Sequence, residues 1–486
     1  MLGLTAAIAV PALAGSVTPT AALPPSTGAR PSVLLIVTDD QRWDTLWSMP
    51  HVRSSIAGHG ITFADAFVTN ALCCPSRASI LTGDLSHTTG VYRETPPFGA
   101  FSSFRDGSTL ATWLHDGGYT TGLFGKYIDA YQHAALTGYV PPGWDRWVAF
   151  VRSRYVDYKL TIDGRIETHG SEPADYSTGV LGSYAERFIR GTDGPIFVEF
   201  APAAPHAPAT PEARFDGAFD DLEPWRPPSF DEPDVADKPS FIRELPRLDA
   251  RARSDVDAFR RDQYRTLLSV DRQVQGLIDA LRDTGRLNDT LIVFTSDNGL
   301  SWGEHRWVKK EVPYEESIRV PLIVRYDPLT GSDGPATSSA LALNIDIAPT
   351  IADAAGVPIA TDGRSLLPIV RGDSTAWRTR FLIEHMEGAN PIPTYCAVRT
   401  VRHLFASYAS GEQELYDLEA DPFELTNVAA AEPALADQLS GELDVLCDPA
   451  PPGYHPREGA VAAASLGVVA LLLAIAARRR ALAGAR

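Results

Sequence analysis

Ser32-Val-Leu-Leu-Ile-Val-Thr38 is an almost unbroken apolar run, rich in β-branched residues, that stops at Asp39-Asp40. A strand without polar alternation needs cover on both faces, which is the setting of a parallel sheet between helix layers. Open α/β sheets of this kind place their ligands at the carboxyl ends of the strands. Thr290-Leu-Ile-Val-Phe-Thr-Ser296 repeats the pattern and stops at Asp297-Asn298-Gly299. Two buried strands that deliver acids to one sheet edge form a constellation, where either alone would be a strand end with a turn.

Further runs fit the same sheet: Ile196–Phe200 before Pro205-His206, and Val320–Arg325. Between them, Tyr264 to Leu281 places apolar residues at 267, 268, 270, 274, 277, 278 and 281, the stripe of an amphipathic helix. Helix leading into strand predicts an α/β fold, a large mainly parallel sheet sandwiched by helices. Leu222–Asp257 is crowded with Pro and charge and has no period, so it predicts a long surface excursion over the site. After about residue 373 the sequence turns to short patterns, 397–405 and 414–418, which predict antiparallel strands of a small C-terminal α+β subdomain. The expected division is 32–372 for the catalytic domain and 373–448 for the subdomain.

The 486 residues hold 61 acidic against 43 basic side chains, a net charge of −18, which disfavours an electrostatic nucleic-acid binder. At 44% hydrophobic and 21% charged the chain has the composition of a globular protein. Residues 2–23 are uncharged and rich in Ala, Leu and Val, and 1–30 read as an export segment, although no basic residue opens it. The uncharged stretch 459–477 is followed by Arg478-Arg479-Arg480. At ~1.5 Å per residue it matches a ~30 Å hydrocarbon core, so it reads as a membrane anchor with a basic cytoplasmic tail, 478–486. The Pro-rich 449–458 is then a spacer. These ends place the body outside the cell, anchored or secreted. In that oxidising setting Cys396 and Cys447 could form one bridge, while Cys73 and Cys74 stand apart.

Cys73-Cys-Pro-Ser-Arg-Ala-Ser-Ile-Leu-Thr-Gly83 is the most specific string in the chain. It resembles the signature of the sulfatase family, Cys-x-Pro-Ser-Arg with Leu-Thr-Gly three residues on. The order of Asp39-Asp40, Gly125-Lys126, Pro205-His206, Asp297-Asn298-Gly299, and Lys310 with Tyr314-Glu315-Glu316 agrees over residues 31–428. Gly-Lys-Tyr and Leu267–Asp271 make the N-acetylglucosamine-6-sulfatase type the most similar. The resemblance implies an alkaline phosphatase-like fold and formylglycine (3-oxoalanine) at Cys73, made by a formylglycine-generating enzyme. In the family the hydrate of that aldehyde attacks sulfur, the alcohol leaves, and the second hydroxyl expels sulfate.

The same resemblance implies a divalent metal held by Asp39, Asp40, Asp297, Asn298 and the residue at 73. Such hard oxygens suit Ca2+, with Mg2+ as the alternative. Arg77, Lys126 and Lys310 would offset the charge of the ester, with Lys309 the alternative to its neighbour, and His206 would protonate the leaving oxygen. Many sulfatases carry a histidine where this chain has Ile128. His87 is a weaker candidate for the pocket edge. The implied partner is a sulfated carbohydrate, a 6-O-sulfated amino sugar. Phosphate or phosphonate ester hydrolysis, and a catalytically idle glycan-binding protein, remain as alternatives.

Overall fold

The computed structural model describes residues 30–331, 334–373 and 376–455. The export segment, the 459–477 span and the basic tail therefore lie outside the described residues. Among the described residues, no helix is long and apolar enough to cross a membrane.

A ten-stranded sheet forms the body. Its centre is five parallel strands, in spatial order Thr290–Ser296, Ser32–Thr38, Ile196–Ala201, Thr120–Gly125 and Arg146–Phe150. Antiparallel strands extend both edges, Leu322–Arg325 on one side and Tyr158–Ile162 with Arg165–His169 on the other. The run at 320–325 is thus a strand, but it lies antiparallel to Thr290–Ser296.

Every residue of Ser32–Thr38 is buried, as its lack of alternation requires. Leu34 and Ile36 face one core, with Ile292 and Phe294 beside them and the Ser177–Gly191 and Ala250–Asp283 helices above. Val33, Leu35 and Val37 face the other core, under Cys73–Thr82, Leu110–Asp116 and Ile347–Ala355. Cutting such a residue to alanine would cost about 2–5 kcal/mol. The two layers make this the predicted sandwich.

Two expectations need correction. The amphipathic helix starts at Ala250, where Asp249 accepts a hydrogen bond from the Ala252 amide, so the tail of the supposed excursion is helical. The rest of Leu222–Asp257 is not a mere surface loop either, because Phe230, Phe241 and Ile242 are buried and Lys238 is wholly enclosed. Its charges are satisfied internally: Arg253 and Arg247 pair with Asp231, and Lys238 donates to the carbonyls of Glu424 and Leu425.

The C-terminal subdomain is a four-stranded antiparallel sheet, Arg380–His385, Tyr395–Thr400, His403–Tyr408 and Gln413–Asp417, covered by the Pro433–Leu446 helix. Cys396 in that sheet is bonded to Cys447 at the helix end, with their Cα atoms 6.4 Å apart.

Candidate active site

The carboxyl ends of two neighbouring parallel strands supply the acids. Asp39 and Asp40 follow Thr38, and Asp297 and Asn298 follow Ser296, paired in register across the sheet. Asp40 has φ +65°, and its amide donates to Asp297 Oδ1 at 3.1 Å, which turns the two acidic corners towards each other. Asn298 Nδ2 donates to Asp40 Oδ1 at 2.6 Å.

Cys73 opens the Cys73–Thr82 helix from an extended Leu72, and all residues of that helix are buried. Its Sγ lies 3.4 Å from Asp39 Oδ1 and 3.9 Å from Asp40 Oδ1. Arg77, one helical turn on, donates Nε to Asp297 Oδ2 at 2.8 Å and Nη1 to the Lys126 carbonyl at 3.2 Å. Lys126 Nζ pairs with Asp39 at 2.8 Å. It gets there because Gly125, at φ +138°, runs against Ala201, whose carbonyl would sit 1.9 Å from any Cβ. Lys310 Nζ lies 2.5 Å from Asp40 Oδ1 and 2.6 Å from Cys73 Sγ. Lys309 instead points out to Asn390.

Burial opposes every charge here, and the neighbours decide the outcome. Lys126, His206, Arg77 and Lys310 outweigh burial at Asp39 and hold its carboxyl well below the usual range. Asp297 goes the other way, pushed up to about 6 by burial and by the Asp39 charge. Burial and Asp297 push the Cys73 thiol up. Lys126 and Lys310 remain ammonium groups, raised against the effect of burial by the surrounding carboxylates.

A cavity of about 690 Å³ opens over this cluster, lined by Asp39, Lys126, Ile128 and His206 among others. Cys73 is not in its lining and is 1% exposed, so it lies beneath the floor. His206 hangs at the rim, its Nδ1 2.6 Å from the Ala207 carbonyl and its Nε2 3.7 Å from Asp40 Oδ2. His87 does not line the cavity; its Nδ1 pairs with the buried Glu384 at 3.0 Å.

The structure therefore brings Asp39, Asp40, Cys73, Arg77, Lys126, Asp297, Asn298 and Lys310 together, with His206 at the edge. Sequence reasoning missed Glu94 and Asp129, which approach Cys73 from the cavity side, and Arg152, Arg154 and Tyr155 on the far wall. It also missed Glu199, buried in the middle of its strand with Oε2 unpartnered and raised to about 7 by burial. Only Asp129 had a signal, its i,i+3 spacing from Lys126.

Residues 31–357 match the sulfatase family model. The chain belongs to the sulfatase family. A second family model, for the C-terminal part of N-sulphoglucosamine sulphohydrolase, matches residues 303–446 of this sulfatase. Human N-acetylglucosamine-6-sulfatase is 34% identical over 471 residues, which cover 86% of this chain and 84% of the human one. Among solved structures, a protein in complex with its substrate D-glucosamine-2-N,6-O-disulfate superposes with a TM-score of 0.75 at 25% identity, covering 86% and 98% of the two chains. The phosphonate monoester hydrolase of Agrobacterium radiobacter shares the fold, with a TM-score of 0.70 at 23% identity over 86% and 95%. This sulfatase is a sulfuric ester hydrolase, and the idle-binder alternative falls away.

Proposed function

We propose that the enzyme removes the 6-O-sulfate of an N-acetylglucosamine-type sugar at the end of a chain or as a monosaccharide. Support comes from the human relative and from the arrangement around Cys73, which is the observation that carries the reading. Three carboxylates and three basic side chains converge beside one sulfur atom. A formylglycine oxygen would take the position of Cys73 Sγ, and the nucleophile would then lie between Asp39 and Lys310.

The residues present fit a divalent cation. Asp39, Asp40 and Asp297 are balanced by Arg77, Lys126 and Lys310, so the cluster has no positive charge to spare for an anionic ester. The donors, carboxylates and the Asn298 amide, are the hard oxygens that Ca2+ or Mg2+ takes. When bound there, the cation would draw electron density from a sulfate oxygen and offset the charge of the ester. Arg77 fixes Asp297, Lys126 and Lys310 hold the anion and the nucleophile, and His206 offers Nε2 to the leaving oxygen while its Nδ1 is committed to the Ala207 carbonyl.

The chain's net charge of −18 repels long polyanions, which favours a small or terminal ester admitted to a recess that the bound cation would make locally positive. The Cys396–Cys447 bond agrees with a body exported to an oxidising compartment. A cell-surface position, anchored by 459–477, completes the proposal.

The test is sulfate release from 6-O-sulfated N-acetylglucosamine, set beside an aryl sulfate and an aryl phosphate. Preference for the sulfated sugar is expected, and strong preference for the phosphate would overturn the reading. Chelation is expected to abolish turnover, with recovery on adding back Ca2+ or Mg2+. Mass spectrometry of the Cys73 peptide from the native host should show an aldehyde in place of the thiol.

A further inference from the structure

The far wall of the cavity holds charge that the reaction at one sulfate does not use. Residues 151–157 join the Arg146–Phe150 and Tyr158–Ile162 strands, and they supply Arg152 and Arg154 to the lining of the cavity that Lys126 and His206 also face. Both arginines are exposed. Arg146, at the start of the strand that precedes them, is paired with Asp163. Among the described residues, however, neither Arg152 nor Arg154 has a carboxylate within the 4.0 Å of an ion pair or an acceptor for its guanidinium. Asp157, in the same lining, stays beyond that reach.

These two side chains also wall a smaller adjoining cavity of about 330 Å³, together with Lys159, Thr168 and His169. Lys159 has no ion-pair partner among the described residues either. Three cations without an ion-pair partner around one small cavity are out of keeping with a chain of net charge −18. They repel one another, and among the described residues none is held in a direct ion pair, although Asp157 lines both cavities.

The segment is nevertheless fixed relative to the reacting centre. Tyr155, directly after Arg154, is buried and donates its hydroxyl to the His206 carbonyl at 2.7 Å. At the far end the Asp157 amide donates to the Gly170 carbonyl at 2.9 Å. The arginines are thus held at a set reach from His206, with their planar donor forks free. Such forks match sulfate, sulfamate and carboxylate groups by paired hydrogen bonds.

We propose that Arg152 and Arg154 form a second anion subsite, which takes an anionic group of the substrate other than the ester being cleaved. That group is either an N-sulfate on the same sugar or the carboxylate of an adjoining uronic acid. This rests on the sulfated-sugar reading and deepens it: the enzyme prefers esters bearing a second negative charge at a fixed distance from the first.

Steady-state kinetics of the full chain on three substrates tests the subsite: 6-O-sulfated N-acetylglucosamine, N-sulfated 6-O-sulfated glucosamine, and a disaccharide that joins a uronate to 6-O-sulfated N-acetylglucosamine. Both arginines are exposed, so Arg152→Ala and Arg154→Ala should keep the wild-type Tm. Each variant is expected to raise KM about tenfold for whichever dianionic substrate uses the subsite, with kcat within twofold. KM for the monosulfate should change less than twofold. The substrate that responds identifies the source of the second anion. Equal changes in KM for all three substrates, no change for any, or a loss confined to kcat would overturn the subsite. A wild type that releases sulfate from none of the three but is active on an aryl ester would overturn the amino-sugar reading, and the subsite's occupant with it.

Discussion

Arg77 Nε donates to Asp297 Oδ2 at 2.8 Å, a single contact that ties the helix opening at Cys73 to the end of a strand more than two hundred residues later. Both partners are buried, so deleting either leaves an unpaired charge in the interior, at a cost of about 3–5 kcal/mol. An alanine at 297 would therefore mix lost stability with lost chemistry. Asp297→Asn keeps the shape, and its expected outcome is a folded protein with turnover reduced at least ~10²-fold. Arg77→Lys should do the same, because a lysine lacks the planar fork that spans Asp297 and the Lys126 carbonyl. Denaturation curves and kcat measured on one preparation separate the two effects, and wild-type turnover in either variant would remove that residue from the site.

Adjacent lysines give a sharper contrast. Lys310→Ala removes the ammonium that contacts both Asp40 and Cys73, and a loss of at least ~10²-fold in kcat is expected. Lys309→Ala removes only an exposed contact to Asn390 and should leave kcat within twofold. Equal losses in the two variants would mean that the backbone of this turn matters more than either ammonium group.

Glu199 makes stability depend on pH. Burial raises its carboxyl from 4.5 to about 7 in the folded state, outweighing the opposite pull of Arg77. A folded value above the unfolded one means that the folded form holds the proton more tightly. Its contribution is present in full below pH ~4.5 and is lost as pH rises through about 7, a change on the order of 3 kcal/mol. Glu199→Gln should therefore be close to neutral at pH 5 and stabilising at pH 8, measured by urea unfolding. The same effect at both pH values would show that the group is ionised throughout.

The Cys396–Cys447 bond closes a loop with a sequence separation of 51. Chain-entropy reasoning puts its contribution at about 4 kcal/mol. Cys447→Ser, or reduction, should lower the thermal midpoint of the C-terminal sheet while leaving kcat of the folded enzyme within twofold. An unchanged midpoint would mean that the helix docks equally well without the bond.

Much of this site was legible because it sits at the ends of buried strands and within one contiguous motif. Ser32–Thr38 and Thr290–Ser296 can be read from their lack of polar alternation, and the acids after them need no tertiary information. Arg152 and Arg154 gave no sign, because an arginine in a loop reads as solvated until its lack of a partner is seen in three dimensions. Glu199 was hidden inside an apolar strand, where one acid looks like a tolerated interruption. The Leu222–Asp257 segment misled for the opposite reason: its prolines and charges look like surface, yet Asp231 is satisfied by arginines of the same segment and Lys238 by carbonyls far along the chain.

The depth of Cys73 also sets a clock. With 1% of its surface exposed on an entirely buried helix, the side chain is out of reach of another enzyme once the fold has closed. The lysine that seals it, Lys310, lies 237 residues further along. At roughly 5–20 residues per second of synthesis, Cys73 would be made about 12–50 s before its last neighbour. Any conversion of the thiol to an aldehyde must therefore precede closure of the fold, and that interval is the least time the chain allows for it.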